Sequence, residues 1–364
     1  MAIDFDVERW GTIREDSRRW WAGELERPLV QIRLNGADPG RPEPDLPVYG
    51  FTAHYGSGVP AETIVDRWEY GLCCTRFLGD AFPAVWPNFG AGVLAAFLGA
   101  KPEVRYETVW FHPRQEQPID DLSLELDLAD PWLLRIRDIY AAAIERWDGL
   151  VQVGMTDLGG AVDVLSTFRP GEQLLLDLYD HPEVVGERID EIHEHWFTVF
   201  DRLNDVLQSA NPGYTAWTPI YSSTPYYMLQ CDFAYMISPD MFDRFVKPEL
   251  TKCCERLSNP FYHLDGPGQL PHLDSLLSIE ALKGVQWVPG AGQPGITEWP
   301  KVYRKIRDAG KLIQTFSGQS EMGYRALDVL ADQLGDAEPI IMIAEAGIEE
   351  TDDVLVFLER WGAG

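Results

Sequence analysis

The chain has 364 residues, of which 45% are hydrophobic and 24% charged, and no segment approaches the ~20 uninterrupted apolar residues of a membrane-spanning helix. Thirty basic against 58 acidic residues give a net charge of -28, which repels phosphate backbones and anionic lipids, so we expect neither nucleic acid nor membrane as a partner. The odd count of five cysteines and a charged, aromatic start without an apolar signal core predict a cytoplasmic protein, with residues 1–364 as one domain.

The first half of the chain opens with a helical N-terminal extension and then alternates short β-prone runs with helical stretches. Residues 35–60 are rich in proline and glycine, and this composition predicts a long ordered loop over a site. The runs predicted as strands are 28–34, 81–87, 150–156, 214–220 and 228–233. The strongest helices of this half are predicted at 132–148 and 182–209, and Pro182 marks the start of the second one.

The second half alternates more regularly. Its predicted strands are 261–265, 284–289, 311–316 and 339–346, and its predicted helices are 240–258, 298–310 and 349–361. Ser238 and Thr351 are residue types that cap helices, and acidic residues follow each of them in the first turn. Strands that alternate with helices of ten or more residues indicate a parallel sheet, because parallel neighbours need crossover connections.

The number of strand and helix units, about eight, favours an α/β fold closed into a (β/α)₈ TIM barrel, with the barrel proper over about residues 25–362. A doubly wound open sheet is the alternative. No G-x-G-x-x-G phrase follows a predicted strand, so the dinucleotide-binding version of that alternative lacks support. In a barrel, the working site is expected at the carboxyl ends of the strands.

Polar side chains interrupt predicted strands that should be apolar on both faces. These residues are Gln31, Arg33, Gln152, Gln230, Asp232, His263, Asp265, Gln286, Gln314 and Glu345. Side chains two apart on a strand share a face, which pairs Gln31 with Arg33, Gln230 with Asp232, and His263 with Asp265. Any single glutamine can simply cap a strand or bond a turn. For the whole set, each unsatisfied buried group costs roughly 1–3 kcal/mol, so we predict a polar ligand cavity.

His263 and Asp265 form the sharpest pair, because an imidazole and a carboxylate on one strand face can serve as metal ligands or as an acid/base couple. A Gly-Pro-Gly turn follows them directly. His272 and Asp274 repeat the spacing, but we place them on the following helix, where side chains two apart diverge. The predicted substrate-binding residues are Gln31, Asn88, Asp157, Trp217, Tyr221, Gln230, Gln286, Trp287 and Gln314. The tryptophans among them suit a flat ring or a methylated cation.

Three stretches, 163–192, 230–250 and 346–359, resemble the uroporphyrinogen decarboxylase superfamily, and the phrase ISPDMFDRFVKPEL (237–250) is the most specific part of the likeness. The resemblance runs, with gaps, over about residues 25–360. It implies a (β/α)₈ barrel. It also implies one of two activities, because the superfamily contains decarboxylases as well as methyltransferases that serve corrinoid proteins and thiol acceptors.

The sequence departs from the decarboxylase pattern at both of its charged determinants. The stretch PLVQIRLNGA (28–37) keeps Arg33 but has Ala37 where the second substrate-binding arginine of the family falls. The catalytic aspartate of the family maps onto VWPNFG (85–90), where Asn88 stands. An amide cannot supply the negative charge that stabilises a protonated pyrrole, so these departures disfavour decarboxylation of a tetrapyrrole with several carboxylates.

The sequence also departs from the methyltransferase branch, in which H-x-C and a later C-G-I phrase hold zinc. The corresponding triplets here are His-Leu-Asp at 263–265 and Ala-Gly-Ile at 346–348, so only the histidine is kept. Zinc would then be held by His263, Asp265 and Glu345, a harder and less thiophilic set. Cys231 is a candidate replacement thiolate, but we expect its side chain to point away from Asp232 on a strand.

The departures from the decarboxylase pattern favour a methyltransferase that moves a methyl group between a small methylated substrate and a corrinoid (cobalamin) on a partner protein. In this interpretation Asp232, or the couple of His263 and Asp265, handles the proton or binds the metal. A carboxy-lyase that anchors a substrate carboxylate on Arg33 is the alternative. A binding barrel without chemistry is the third reading, and a homodimer is compatible with all three.

Overall fold

The alternation of strands and helices is borne out in a computed structural model that describes residues 3–319 and 322–364. The helices are α1 (Arg9–Trp21), α2 (Ala61–Cys73), α3 (Leu94–Phe97), α4 (Pro131–Trp147), α5 (Ala161–Phe168), α6 (Gln173–Asp180), α7 (Pro182–Leu207), α8 (Pro239–Met241), α9 (Lys247–Arg256), α10 (Leu273–Leu277), α11 (Pro300–Asp308), α12 (Ala326–Leu334) and α13 (Thr351–Arg360). The strands are β1 (Leu29–Asn35), β2 (Thr75–Gly79), β3 (Ala84–Val85), β4 (Lys101–Arg105), β5 (Thr108–His112), β6 (Gln152–Val153), β7 (Tyr226–Leu229), β8 (Asn259–Asp265), β9 (Gly284–Val288), β10 (Leu312–Phe316) and β11 (Ile340–Gly347).

A parallel sheet forms the centre of the fold. Among the described residues, seven strands pair in the order β2-β1-β11-β10-β9-β8-β7, and all neighbours are parallel except β2, which runs antiparallel to β1 at one edge. A separate parallel pair joins β3 to β6, and β4 and β5 form an antiparallel hairpin. The predicted α/β fold with a parallel sheet is therefore confirmed. The predicted closure is not shown by these ladders.

A continuous hydrophobic cluster of buried side chains runs from Ile3 to Ala363. Helix α7 shows how the sequence builds it, since Val185, Ile189 and Trp196 recur at helical spacing and bury one face of the helix. Full burial of such side chains stabilises the fold by roughly 1.5–3 kcal/mol each. In the described part of the chain, no helix is both long and apolar enough to span a membrane.

The predicted start of α7 at Pro182 is confirmed, and so is the cap at Ser238, whose Oγ accepts a hydrogen bond from Met241 N at 3.3 Å. The cap predicted at Thr351 is wrong. A 3-10 turn over 348–350 precedes α13, so Thr351 already lies in the helix and its hydroxyl donates to Ile348 O at 2.5 Å.

In the first half, the strand predicted at 28–34 is confirmed as β1, the strand predicted at 228–233 is shifted to β7, and the other three predictions are too long or wrong. The run 81–87 contributes only β3, because prolines at 83 and 87 lack the N–H that a ladder needs. The run 150–156 contributes only β6. The run 214–220 is not a strand, since Tyr214 pairs locally with Ser222 in an isolated bridge and Pro219 follows. Strands β2, β4 and β5 were not predicted.

Candidate functional site

The register of the sheet places the predicted polar residues on one face. His263 pairs with Gln286, Gln286 with Gln314, and Arg33 with Glu345. Paired residues on neighbouring strands point to the same side of a sheet, and Glu345 lies four residues beyond the partner of Gln314. A polar face therefore crosses β8, β9, β10, β11 and β1.

Asp232, His263 and Asp265 come together at one end of this face. Each side chain offers a ligand atom, and these atoms lie within 4.8 Å of one another. Asp232 does not reach the site as a strand residue, because β7 ends at Leu229 and Asp232 begins a 3-10 helix (Asp232–Met236). The predicted sharing of a strand face by Gln230 and Asp232 is therefore wrong. We call Asp232, His263 and Asp265 the carboxylate–imidazole site.

Two other predictions about metal ligands need correction. Glu345 is outside the carboxylate–imidazole site, because it lies on β11 and accepts a hydrogen bond from Asn35 Nδ2 at 3.3 Å instead. Cys231 lies between β7 and the 3-10 helix rather than in a strand. It is buried, and burial raises the pKa of its thiol well above the usual range, with Asp163 adding to the effect.

The His263 ring is held in one orientation. Its Nδ1 donates to Oε1 of Gln286, which is fully buried on the neighbouring strand. The edge of the Trp217 ring meets the imidazole, with centroids 5.0 Å apart and planes at 88°. Because Gln286 Oε1 can only accept, the Nδ1–H bond leaves the lone pair of the neutral ring on Nε2. Nε2 is therefore the atom that can bind a metal or take a proton.

Buried carboxyl groups surround Asp232. Burial raises the pKa of Asp157 to about 7, opposed by a hydrogen bond from Gly159 N at 2.9 Å and reinforced by the charge of Asp232. Burial, then the charge of Asp232, raises the pKa of Asp163, whose carboxylate accepts from Asp232 N at 3.0 Å and Phe233 N at 2.8 Å. Partial burial also raises the pKa of Asp232, although this residue is more exposed than Asp157 and Asp163, and His263 opposes the rise. Asp157 and Asp163 therefore hold protons near neutral pH that separate aspartates would have released.

Asp163 was missed by the sequence analysis. It lies in the first turn of α5, directly after the segment that follows β6. An acidic residue just beyond the carboxyl end of a parallel strand is a usable signal for a site residue. Its backbone partners are about seventy residues away in sequence, however, and no local pattern predicts them.

The glutamines divide into two classes. Gln152 exchanges hydrogen bonds with the backbone of Gly213, at 2.9 and 3.0 Å, and Gln31 Nε2 donates to Pro219 O at 2.9 Å. By contrast, Gln286 Nε2 and both polar side-chain atoms of Gln314 are buried without a hydrogen-bond partner among the described residues. The first class holds segments together. The second class lies fully buried on the polar face that carries His263.

Gln230 also contacts the buried carboxyl groups, since its Nε2 donates to Asp157 Oδ1 at 3.3 Å. It therefore lies against the carboxyl cluster, although not through the strand alternation that was predicted.

Three predicted substrate-binding residues lie elsewhere. Trp287 is on the opposite face of β9 and packs against Trp299, with ring centroids 5.1 Å apart. The Tyr221 hydroxyl donates to Pro212 O at 2.9 Å, and its ring packs in the core. Asn88 joins two loop segments, donating to Gly50 O at 2.9 Å and accepting from Gly90 N at 3.0 Å. We therefore leave these three residues out of the candidate site.

Two arginines line a cavity of about 280 Å³ at the β1 end of the polar face. Burial lowers the pKa of Arg33, although Glu345 opposes this, and its Nε has no hydrogen-bond partner in residues 3–319 and 322–364. Arg67, which the sequence analysis missed, is 8% exposed and donates from Nη2 to Glu43 at 2.6 Å. Its Nε and Nη1 are also without partners among the residues described. Unpartnered guanidinium donors in one cavity suit an anion.

Comparison with known proteins gives no family. No protein-family model matches the chain, and no curated protein matches it.

Proposed function

We propose that this protein is a methyltransferase of the uroporphyrinogen decarboxylase superfamily, which moves a methyl group between a small methylated substrate and a corrinoid carried by a partner protein. The observation that carries the proposal is the meeting of Asp232, His263 and Asp265 within 4.8 Å at one end of the polar face. The resemblance of residues 237–250 to that superfamily supports it from the sequence.

The proposal includes closure of the sheet into a (β/α)₈ barrel, in which β3 and β6 fill the gap between β1 and β7. Two hydrogen bonds support the part of this order that runs from β3 through β6 to β7. Gly154 N, just after β6, donates to Val85 O of β3 at 2.7 Å. Leu158 N then donates to the Tyr227 hydroxyl of β7 at 2.8 Å. In a closed ring the arginine cavity and the carboxylate–imidazole site share one rim.

The carboxylate–imidazole site has the donors that a divalent cation needs. His263 presents Nε2, its Nδ1–H is held by Gln286, and Asp232 and Asp265 supply carboxylate oxygens. A bound zinc ion would act as a Lewis acid toward the heteroatom that carries the methyl group. Without a thiolate, the set also suits harder ions such as Mn²⁺.

The residues of this chain would bind the substrate and control one proton. Demethylation leaves a basic heteroatom that needs a proton. A carboxyl group that is still protonated near neutral pH can donate this proton. Burial raises the pKa of Asp163 to about 7, and this carboxyl accepts a hydrogen bond from Asp232 N at 3.0 Å, so Asp163 is the proton donor in the proposal. The Trp217 ring forms a wall beside His263.

The corrinoid carried by the partner would accept the methyl group. Tyr235 and Met236, 61% and 55% exposed, lie in the 3-10 helix that starts at Asp232 and offer an apolar contact beside the site. We place the reaction in the cytoplasm, because Cys253 and Cys254 are buried thiols that form no disulfide within the described residues.

A carboxy-lyase is the second candidate, and the arginine cavity favours it. Arg33 and Arg67 both line this cavity and have buried donors without partners among the described residues, and aromatic side chains such as Tyr49 and Trp68 line it as well. A substrate carboxylate would satisfy these donors, and release of carbon dioxide would leave a carbanion that needs a proton from the same carboxyl cluster.

The test combines a methyl-transfer assay with matched variants. Protein is mixed with cob(I)alamin and a panel of methylated amines, thioethers and methoxy aromatics, and formation of methylcobalamin is followed by absorbance. We expect Asp265→Asn to lower the rate by about 100-fold or more, as general acid/base and ligand losses do. Asp274→Asn is the control, because this exposed carboxylate pairs with Lys305 at 2.7 Å outside the site.

Equal rates for the two variants would refute the assignment of the site. Absence of methyl transfer together with release of carbon dioxide from a carboxylate panel that includes coproporphyrin would favour the lyase, provided that Arg33→Met abolishes it. Metal analysis completes the test. If a metal takes part, purified protein should hold about one equivalent more than His263→Ala.

A further inference from the structure

A second group of metal-ligating side chains lies between helices α7 and α9. His193 of α7 meets Glu249 and Cys253 of α9, and these residues are 5%, 6% and 2% exposed. His193 Nδ1 lies 3.3 Å from Glu249 Oε1 and 3.6 Å from Cys253 Sγ, and the Sγ to Oε1 distance is 3.0 Å. We call these three residues the helix site.

The position of the helix site is unusual for polar groups. Glu249 and Cys253 are four residues apart and therefore lie on one face of α9. His193 lies on the buried stripe of α7, where its ring meets the edge of Phe197 at 5.0 Å between centroids. The nearby Arg256 contacts other groups. Its guanidinium lies 4.0 Å from the Phe197 ring centroid and pairs with Asp201 at 2.9 Å.

A buried carboxylate needs a positive partner, because burying it alone costs several kcal/mol. Within the described residues, the only salt-bridge partner of Glu249 is His193. A divalent cation would balance both a carboxylate and a thiolate.

The distances suit such an ion. Tetrahedral zinc has bonds of about 2.0–2.1 Å to nitrogen and oxygen and about 2.3 Å to sulfur, which separates N from O by about 3.3 Å and N from S by about 3.6 Å. The two distances from His193 Nδ1 have these values, 3.3 and 3.6 Å. The shorter distance of 3.0 Å is the hydrogen bond that the Cys253 thiol donates to Glu249 Oε1. The thiol loses this proton when a metal binds.

We propose that His193, Glu249 and Cys253 bind one Zn²⁺ ion that fastens α7 to α9. Binding forms three bonds from the ion to Nδ1, Oε1 and Sγ, and the thiol proton goes to solvent. Water takes the fourth tetrahedral position. The proposal is independent of the function assigned above, because none of these residues belongs to the carboxylate–imidazole site.

Cobalt substitution tests the proposal, because a thiolate bound to Co²⁺ gives an intense charge-transfer band in the near ultraviolet. The carboxylate–imidazole site has no thiol ligand, so the band reports the helix site alone. Metal-free His263→Ala protein, in which the carboxylate–imidazole site lacks its imidazole, should show the band on titration with Co²⁺, reach saturation at about one equivalent, and release about one proton per ion. Zn²⁺ should abolish the band by displacement.

Matched cysteine variants identify the ligand. Cys253→Ser should lose the band, whereas Cys254→Ser, the adjacent residue with the same 2% exposure, should keep it. His263→Ala should also keep it. Glu249→Gln, which preserves size, should weaken Co²⁺ binding at least about 10-fold. In a His263→Ala background, chelation should lower the Tm of the protein and of its Cys254→Ser variant but leave that of its Cys253→Ser variant unchanged.

The proposal is overturned if folded wild-type protein gives no thiolate band with Co²⁺, or if the band survives in Cys253→Ser. Loss of the band in a Cys231→Ser variant alone would also overturn it, because the thiolate would then belong to the region of Asp232. Circular dichroism of each variant shows whether it is folded.

Discussion

Replacing Asp157 by asparagine should remove a pH-dependent cost from the folded protein. Burial raises the pKa of this carboxyl from its ordinary value of 3.8 to about 7, opposed by the backbone of Gly159 and reinforced by Asp232. Between these two values the folded chain keeps a proton that the unfolded chain has already released. The free energy of unfolding therefore falls as the pH rises through this window.

The size of the effect follows from the two pKa values. One pKa unit corresponds to about 1.4 kcal/mol, so the full difference is at most about 4 kcal/mol. Asp157 is 7% exposed, so solvent screens this cost only weakly. Asparagine does not titrate. Its amide also disturbs the hydrogen bond from the backbone of Gly92, but this loss is the same at every pH. The change with pH, rather than the absolute stability, is thus the quantity to compare.

Urea unfolding at several pH values from about 4 to about 8 measures this change. We expect the stability of Asp157→Asn relative to the wild type to rise by up to about 4 kcal/mol across that range. Asp127→Asn is the matched control, because Asp127 accepts the same kind of bond from the residue two positions on, Ala129 N at 2.8 Å, but is exposed. A relative change below about 1 kcal/mol, or an equal change in the control, would show that the buried carboxyl is not protonated as we infer.

Two further predictions concern Gln286, which orients His263, and Arg67, which lines the arginine cavity. Gln286→Leu removes the acceptor that holds Nδ1 of His263. The kcat of methyl transfer should therefore fall about 10-fold with little change in KM. An unchanged kcat would contradict the orienting role of Gln286. For the lyase, Arg67→Met should raise KM for the carboxylate substrate by about 10- to 100-fold, the range expected for a lost bond to a charged group. Arg41→Met is the control and should leave KM unchanged, because Arg41 pairs with Asp66. Equal KM values in both variants would contradict a carboxylate contact by Arg67.

The sequence predicted the second half of the sheet well because its signals are local. Strands β8 to β11 are apolar runs buried on both faces, and each is followed by helical structure. In the first half, hydrogen bonds between segments distant in sequence decide which residues form strands. Residues 214–220 have the composition of a strand, but Met155 N bonds to Thr215 O and Tyr214 bonds to Ser222, which leaves the segment irregular. Propensity cannot foresee such partners.

The candidate site was predictable to the same degree. His263 and Asp265 lie on one strand, so alternation alone places them together. Asp232 reaches them for a reason that was not predicted, since the chain turns into a 3-10 helix after β7. Arg67 lies on helix α2 and matches no local site pattern, and the packing of α2 against α4 and β2 brings it to the cavity that Arg33 also lines.

The glutamines show what the structure adds to such an argument. Gln152 and Gln314 both lie within short buried strands, and their sequence contexts do not distinguish them. Gln152 is satisfied by the backbone of Gly213, whereas Gln314 leaves an amide donor and an acceptor unpaired among the described residues, at a cost of roughly 1–3 kcal/mol for each group. Gln286 Nε2, beside it on the polar face, is unpaired in the same sense. Gln152, Gln286 and Gln314 are all fully buried, so hydrogen-bond partners rather than burial distinguish the last two, which lie on the face that carries His263.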